Sequence, residues 1–343
     1  MAKPEQMDAM WTRPPVLFAG LIAANAAAWI WAWMAFSDQP ALLGSALLTW
    51  IFGLRHAVDA DHITAIDNVV RKLMGQGRRP HLAGFFFSLG HSSIVILAAL
   101  AAAASTALLR TQWAWFRTIG AVIGTSVSAA FLLLIALVNL AIPRGAWRDF
   151  RRASPGGATV LDQPMGGGFL AHLFRPLFNM VTRAWHMYPL GVLFGLGFDT
   201  ATEVGLLSLA ATQAAGGMSP WRTLVFPALF TAAMALVDTA DSVLMVGAYG
   251  WANVQPLRKL WYNLTMTVVS VLVALLIGGV EALALPGDQL GLEGGIWPVV
   301  SGLNGDLAYF GFAVVAIFLL TWGLSIGVFR WLGYDRLAGA GSN

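Results

Sequence analysis

Hydrophobic positions in this chain gather into eight long runs, at Pro14–Phe36, Leu42–Val69, Leu82–Leu109, Phe116–Ile142, Tyr188–Ala215, Leu224–Tyr249, Leu260–Leu283 and Tyr309–Leu332. Each is near or above the ~20 residues that a helix needs to cross the hydrocarbon core of a bilayer. The pattern predicts an all-α fold, an integral membrane bundle of eight transmembrane helices forming a single polytopic domain over 1–343. The first run has Lys3 and Arg13 ahead of it and small residues at Ala26 to Ala28, as a signal peptide would. It is too long for the apolar core of such a segment, and it ends in Trp29, Trp31 and Trp33 like an interfacial belt, so it reads as a retained first span.

The polar segments between the runs set the orientation. Of the 20 lysines and arginines, 16 fall on the side of the two termini, Arg110, Arg117 and Arg222 fall on the other, and Arg55 lies inside a run. The positive-inside rule then places both termini in the cytoplasm, which an even number of spans allows. The segment at about 143–185 becomes a cytoplasmic loop with a basic start, Gly156-Gly157 and Gly166 to Gly168, a flexible linker with a surface-seeking portion. The glycine-rich stretch from Ala284 to Ala308, with Asp288, Glu293 and Asp306, reads as a solvated loop on the opposite side.

Composition agrees and excludes several classes. With 58% apolar and 11% charged residues, the chain has too few charges to cover a globular surface of this size. Cysteine is absent, so any metal has to be held by nitrogen and oxygen, and thiolate or disulfide chemistry drops out. The sequence pI of about 9.5 reflects the cytoplasmic segments and not nucleic-acid binding. The partners expected are the lipid bilayer and a divalent metal ion, without a further cofactor.

That metal is suggested by charges placed where lipid tolerates almost none. Arg55-His56-Ala57-Val58-Asp59-Ala60-Asp61-His62 lies within the second run. On a continuous helix His56, Asp59 and His62 trace one slowly turning stripe, with Arg55 and Asp61 pointing elsewhere. Two imidazoles and a carboxylate suit a divalent first-row metal. The alternative is a buried polar knot that only holds helices together. Charges at mid-membrane cost about 2.5–3.5 kcal/mol each, which favours function.

Seven carboxylates sit at membrane depth, namely Asp59, Asp61, Asp67, Asp199, Glu203, Asp238 and Asp241. Left ionised and unpaired they would cost on the order of 20 kcal/mol, more than a domain's stability, so they have to be paired, hydrated or protonated. Asp199 with Glu203, Asp238 with Asp241, and Ser88 with His91 each share a helix face and line one polar cavity. The candidate metal set is His56, Asp59, Asp61, His62 and His91. Within it Asp61, like Arg55, is better suited to orienting the histidines and neutralising charge. Ser88, Asp199, Glu203, Asp238 and Asp241 line the path, the four acids as a relay for metal or protons or as partners of helix-end amides. Asn25 faces the path or bonds to a neighbouring helix, and Asp67 with Asn68 reads as a helix terminus. His81, His172 and His186 have no acidic or histidine neighbour at ligand spacing and are assigned structural roles.

Four stretches resemble the signature motifs of the nickel/cobalt transporter family: His56-x4-Asp61-His62, Phe87-Ser88-Leu89-Gly90-His91-Ser92, Leu196-Gly197-Phe198-Asp199-Thr200-Ala201-Thr202-Glu203, and Met234-Ala235-Leu236-Val237-Asp238-Thr239-Ala240-Asp241. They stand in the family's order, with one departure, Ala233, where glycine is expected before the methionine. The resemblance implies a permease that moves nickel, cobalt or both across a bacterial inner membrane. It leaves efflux as an alternative, against which the near absence of histidine in the 143–185 loop argues.

An intramembrane metalloenzyme is the second rival, but no H-E-x-x-H occurs and no glutamate is placed as a general base. The chain carries no P-loop of its own, which predicts a secondary mechanism. Finally, Phe52-Gly53-Leu54 precedes one acidic motif as Phe194-Gly195-Leu196 precedes another, three spans later. Such copies would run oppositely through the membrane as an inverted repeat, or the tripeptide is coincidence.

Overall fold

The computed structural model describes residues 13–104, 107–140, 181–196, 201–252 and 256–331, and among them every regular element is helical. The helices of eight residues or more are α1 (Pro14–Phe36), α2 (Pro40–His56), α3 (Ala60–Gly75), α4 (Ala83–Ala104), α5 (Ala107–Leu140), α6 (Met187–Phe194), α7 (Ala201–Ala215), α8 (Val225–Ala252), α9 (Pro256–Leu290), α10 (Trp297–Gly305) and α11 (Leu307–Trp331). Proline opens α1 and α2 in the first turn, where its missing N–H and fixed φ are harmless. The expected loop at about 143–185 lies, up to residue 180, outside the described residues.

Five stretches are by themselves long and apolar enough to cross a bilayer, at Pro14–Phe36, Ala83–Ala101, Thr118–Leu137, Pro220–Gly250 and Thr265–Leu290. Counting the bent pairs α2–α3 and α10–α11 as one span each raises the number to seven among the described residues. The run expected over Tyr188–Ala215 divides into α6 and α7, with residues 197–200 outside the described set.

Three expectations need correction. The second run is not one helix: it breaks at Ala57 to Asp59 with a bend of 49°, so His56, Asp59 and His62 do not lie on a continuous stripe. Asp59 takes an extended backbone (φ −62°, ψ 144°) as the residue before α3, and Asp61 follows in that helix's first turn, where an acid favours the positive end of the dipole. Second, residues 110–115, left between spans by hydropathy, are helical within α5. Third, the glycine-rich stretch from Ala284 is not all loop, because α9 continues through Pro286 to Leu290 and α10 forms before α11.

The bundle is organised on α8, which packs against α1, α2, α3 and α4. Close approach is made possible by glycine. A side chain at Gly53 of α2 would meet the backbone of Phe230 and, at 3.0 Å, the Cβ of Ala233 on α8. Ala233 therefore packs fully buried where a glycine was expected, with the space supplied by its facing partner. Gly90 of α4 and Gly191 of α6 do the same reciprocally, each lying against a carbonyl of the other helix, of Tyr188 and Phe87 respectively.

Candidate functional site

Ending α2 at His56 and restarting the chain at Ala60 puts two histidine rings, from two different half-helices, against each other. The His56 and His62 ring centroids are 4.7 Å apart, and α4 brings His91 to 4.8 Å from the first and 4.9 Å from the second. The three buried imidazoles form a nearly equilateral triangle, offering donor atoms that all lie within 4.8 Å of one another. Phe230 at 5.5 Å from His56 and Phe87 edge-on to His62 at 4.8 Å form its apolar walls.

Carboxylates from three further positions surround the triangle. His56 Nδ1 donates to Asp59 Oδ2 at 2.8 Å across the helix break. Glu203 of α7, fully buried, places Oε1 2.7 Å from His91 Nε2 and 3.8 Å from His56 Nε2, and the two ring nitrogens are 3.0 Å apart. Asp238 of α8 stands 3.6 Å from His62 Nδ1. The network assigns the tautomers: with the His56 proton on Nδ1 toward Asp59, His56 Nε2 keeps its lone pair toward the centre, and the His91 Nε2–H faces Glu203.

Several polar atoms here are buried without a hydrogen-bond partner among the described residues: both nitrogens of His62, Nδ1 of His91, Oδ1 of Asp59 and both carboxylate oxygens of Asp238. Buried polar atoms are normally satisfied, so this concentration marks a place prepared for something outside the chain. Around bonds of about 2.1 Å to a first-row metal, donors at right angles stand about 3.0 Å apart. His56 Nε2 and His91 Nε2, 3.0 Å apart, match that spacing, with Glu203 Oε1 2.7 and 3.8 Å from His91 and His56; a cation bound there takes the place of the proton on His91 Nε2.

The other expected residues fall into three groups. Arg55 and Asp61 flank the triangle, both half-buried. Asp241 lies one turn past Asp238, with Oδ2 buried and without a hydrogen-bond partner among the described residues, while Asp199 lies outside the described residues. Ser88 and Asn25 are committed elsewhere: Ser88 Oγ donates to the Phe85 carbonyl at 3.1 Å, and Asn25 bonds Leu21 and Ala232 carbonyls through Nδ2 and Trp50 through Oδ1, each at 2.9 Å. Asn25 therefore ties α1 to α2 and α8.

Sequence reasoning gave one buried acid at membrane depth a different role and missed another. Asp67, taken for a helix terminus, is fully buried and accepts from Tyr249 and Ser270. Glu281 is buried within α9, and its position inside the Leu260–Leu283 run was the available signal.

Known proteins resemble this chain over most of its length. Residues 42–328 match the family described as high-affinity nickel-transport protein. The chain is 56% identical over 321 residues to the hydrogenase nickel incorporation protein HupN of Bradyrhizobium diazoefficiens, covering 92% of this chain and 84% of that one. It is 54% identical over 324 residues to a high-affinity nickel transport protein of Cupriavidus necator, covering 93% and 92%. It is 37% identical over 300 residues to the cobalt transport protein NhlF of Rhodococcus rhodochrous, covering 84% and 85%. No solved structure matches the chain.

Proposed function

Because the chain belongs to the high-affinity nickel-transport protein family, we propose that it is a secondary transporter that carries nickel, and cobalt beside it, inward across a bacterial inner membrane. The observation that carries this reading is the convergence of His56, His62 and His91, from three helical segments, in a buried site ringed by Asp59, Glu203 and Asp238.

In this reading the cation is held by the three imidazoles and Glu203. Asp59 orients His56 from the far nitrogen, and Asp61, Arg55 and Asp238 balance charge. Asp238 and Asp241, one turn apart on α8, extend the polar route beyond the site, and Asp199 is assigned to the same route. The nitrogen/oxygen donor set suits nickel and cobalt. The relatives' names, nickel transport for two and cobalt transport for the third, support both cargoes.

The bundle is read as eight spans, with α2–α3, α6–α7 and α10–α11 as broken ones. Both termini then lie in the cytoplasm, following the distribution of basic residues. Phe52-Gly53-Leu54 and Phe194-Gly195-Leu196 each stand where a half-helix ends ahead of an acidic segment, which favours the inverted-repeat arrangement, with cation sites at broken helices. Inward movement of a divalent cation down 100 mV releases roughly 4.6 kcal/mol, enough for about three decades of gradient. The test is uptake of radioactive nickel and cobalt by cells expressing the chain, beside an equally abundant His62→Ala variant. Equal uptake by the two would overturn the site, and outward movement of preloaded metal would overturn the direction.

A further inference from the structure

Beyond the histidine triangle, α3 carries a second buried polar feature that the transport reading leaves unused. Asp67, five residues past His62, is fully buried, and each of its oxygens is bonded to a hydroxyl from a different helix. Tyr249 of α8 donates to Oδ1 at 3.0 Å, and Ser270 of α9 donates to Oδ2 at 2.7 Å. One turn on, Arg71 donates to Thr267 Oγ1 of α9 at 2.8 Å and to Asn68 Oδ1 at 2.5 Å. The surrounding core is apolar, with Ile66, Val70, Leu73, Met245, Val271 and Ala274 all buried.

Apolar packing alone would hold α3 in such a core. A buried carboxylate adds desolvation that hydroxyl bonds only partly offset, so its presence at membrane depth points to a working role. The mechanics of α3 suggest which. The helix is separated from α2 by the break at Ala57 to Asp59, and its other end is closed by Gly77 (φ 76°), with Arg78 N–H bonded to the Leu73 carbonyl and Gly77 N–H to that of Met74. It is a short, well-terminated rod with a hinge at one end and its polar fasteners near the other. Hinge residues at element ends absorb the backbone change when such a rod moves.

We propose that Asp67, Tyr249 and Ser270 form a latch that keeps the route from the histidine site closed at the basic end of α3, and that releasing the two hydroxyls lets α3 swing about the 57–59 break. The proposal rests on the transport reading of the histidine site. Asp67 acts here as a gating residue and not as a ligand of the bound cation. Arg71, held by Asn68 and Thr267, keeps a positive charge at the closed end that a departing cation meets until α3 moves.

The chain has no cysteine, so one introduced thiol reports access without background. Thr64→Cys places it between His62 and Asp67, at a fully buried position. An impermeant thiol reagent is applied from each face in turn, to intact cells and to inverted vesicles. In the parent background modification is slow. With Tyr249→Phe and Ser270→Ala added, it rises roughly tenfold or more from the basic face alone, the expected consequence of removing two hydrogen bonds. Nickel binding by the purified protein, measured by calorimetry, stays at the parent level.

An unchanged rate, an equal rise from both faces, or loss of nickel binding in the latch variant would each overturn the latch. Should the double variant fail to accumulate, Asp67→Asn is judged by the same three criteria. Failure of the transport reading shows separately, as parent protein that binds nickel no better than His62→Ala.

Discussion

His91 and Glu203 meet through Nε2 and Oε1 at 2.7 Å, although 112 residues separate them in the chain. The contact joins α4 to the start of α7 inside the membrane region, and it places a carboxylate at the edge of the histidine triangle. Glu203, expected only to line the path, stands directly against two of the histidines. Its amide variant separates charge from shape. Glu203→Gln keeps the size and one acceptor, and we expect nickel uptake to fall about 10- to 100-fold at unchanged abundance and unchanged melting temperature in detergent. Near-normal uptake would return Glu203 to a packing role.

Asp59 and His56 should differ in degree. His56→Ala removes a donor and is expected to abolish uptake. Asp59→Asn leaves the ring in place but loses the carboxylate that fixes its tautomer, and should weaken nickel binding by roughly 10- to 100-fold. Calorimetric titration of both variants checks this, and equal losses would make Asp59 a direct ligand.

Acidification should slow transport. The imidazoles bind metal only when neutral and the carboxylates around them only when ionised, so protons and metal compete for the site. Protons therefore compete more strongly as external pH falls, and uptake at fixed membrane potential and subsaturating nickel is expected to drop from pH 7.5 to 5.5. A flat profile over that range counts against proton competition at the site.

Gly53→Ala tests whether the α2–α8 contact positions His56. The added methyl meets the Phe230 backbone, which cannot rotate away, and overpacking of this kind costs typically about 1–3 kcal/mol. A lower melting temperature is expected, and Ala233→Gly should restore little of it because the main clash is with backbone. Full rescue by Ala233→Gly would show that the side chain was the obstacle.

Asn25→Ala should act on stability and not on passage. It leaves the Trp50 indole N–H and two carbonyls without their partner, a loss of about 1–3 kcal/mol. Uptake per molecule of accumulated protein should stay near the parent level, and a fall in that ratio would put Asn25 on the path.

The sequence alone determined the membrane character, the helical class and the residue types at the site, because long apolar runs and intramembrane charges are local properties written directly in composition and order. His56, His62 and His91 were legible for the same reason. What the tertiary structure decided was how they meet. Hydropathy reads Leu42–Val69 as one uninterrupted run, since alanine and valine on either side of Asp59 hide the break. The extended backbone at Asp59 and its bond to His56 Nδ1 lie where α4, α7 and α8 pack around the two half-helices, and hydropathy signals neither. The split of Tyr188–Ala215 into two helices and the helical continuation past Pro286 are hidden likewise, because hydropathy measures affinity for lipid and not backbone direction. Asp67 shows the same limit from the other side. Its neighbours in sequence suggest a helix end, whereas its partners Tyr249 and Ser270 lie 182 and 203 residues away, and only packing of α8 and α9 against α3 makes it a buried, doubly bonded carboxylate.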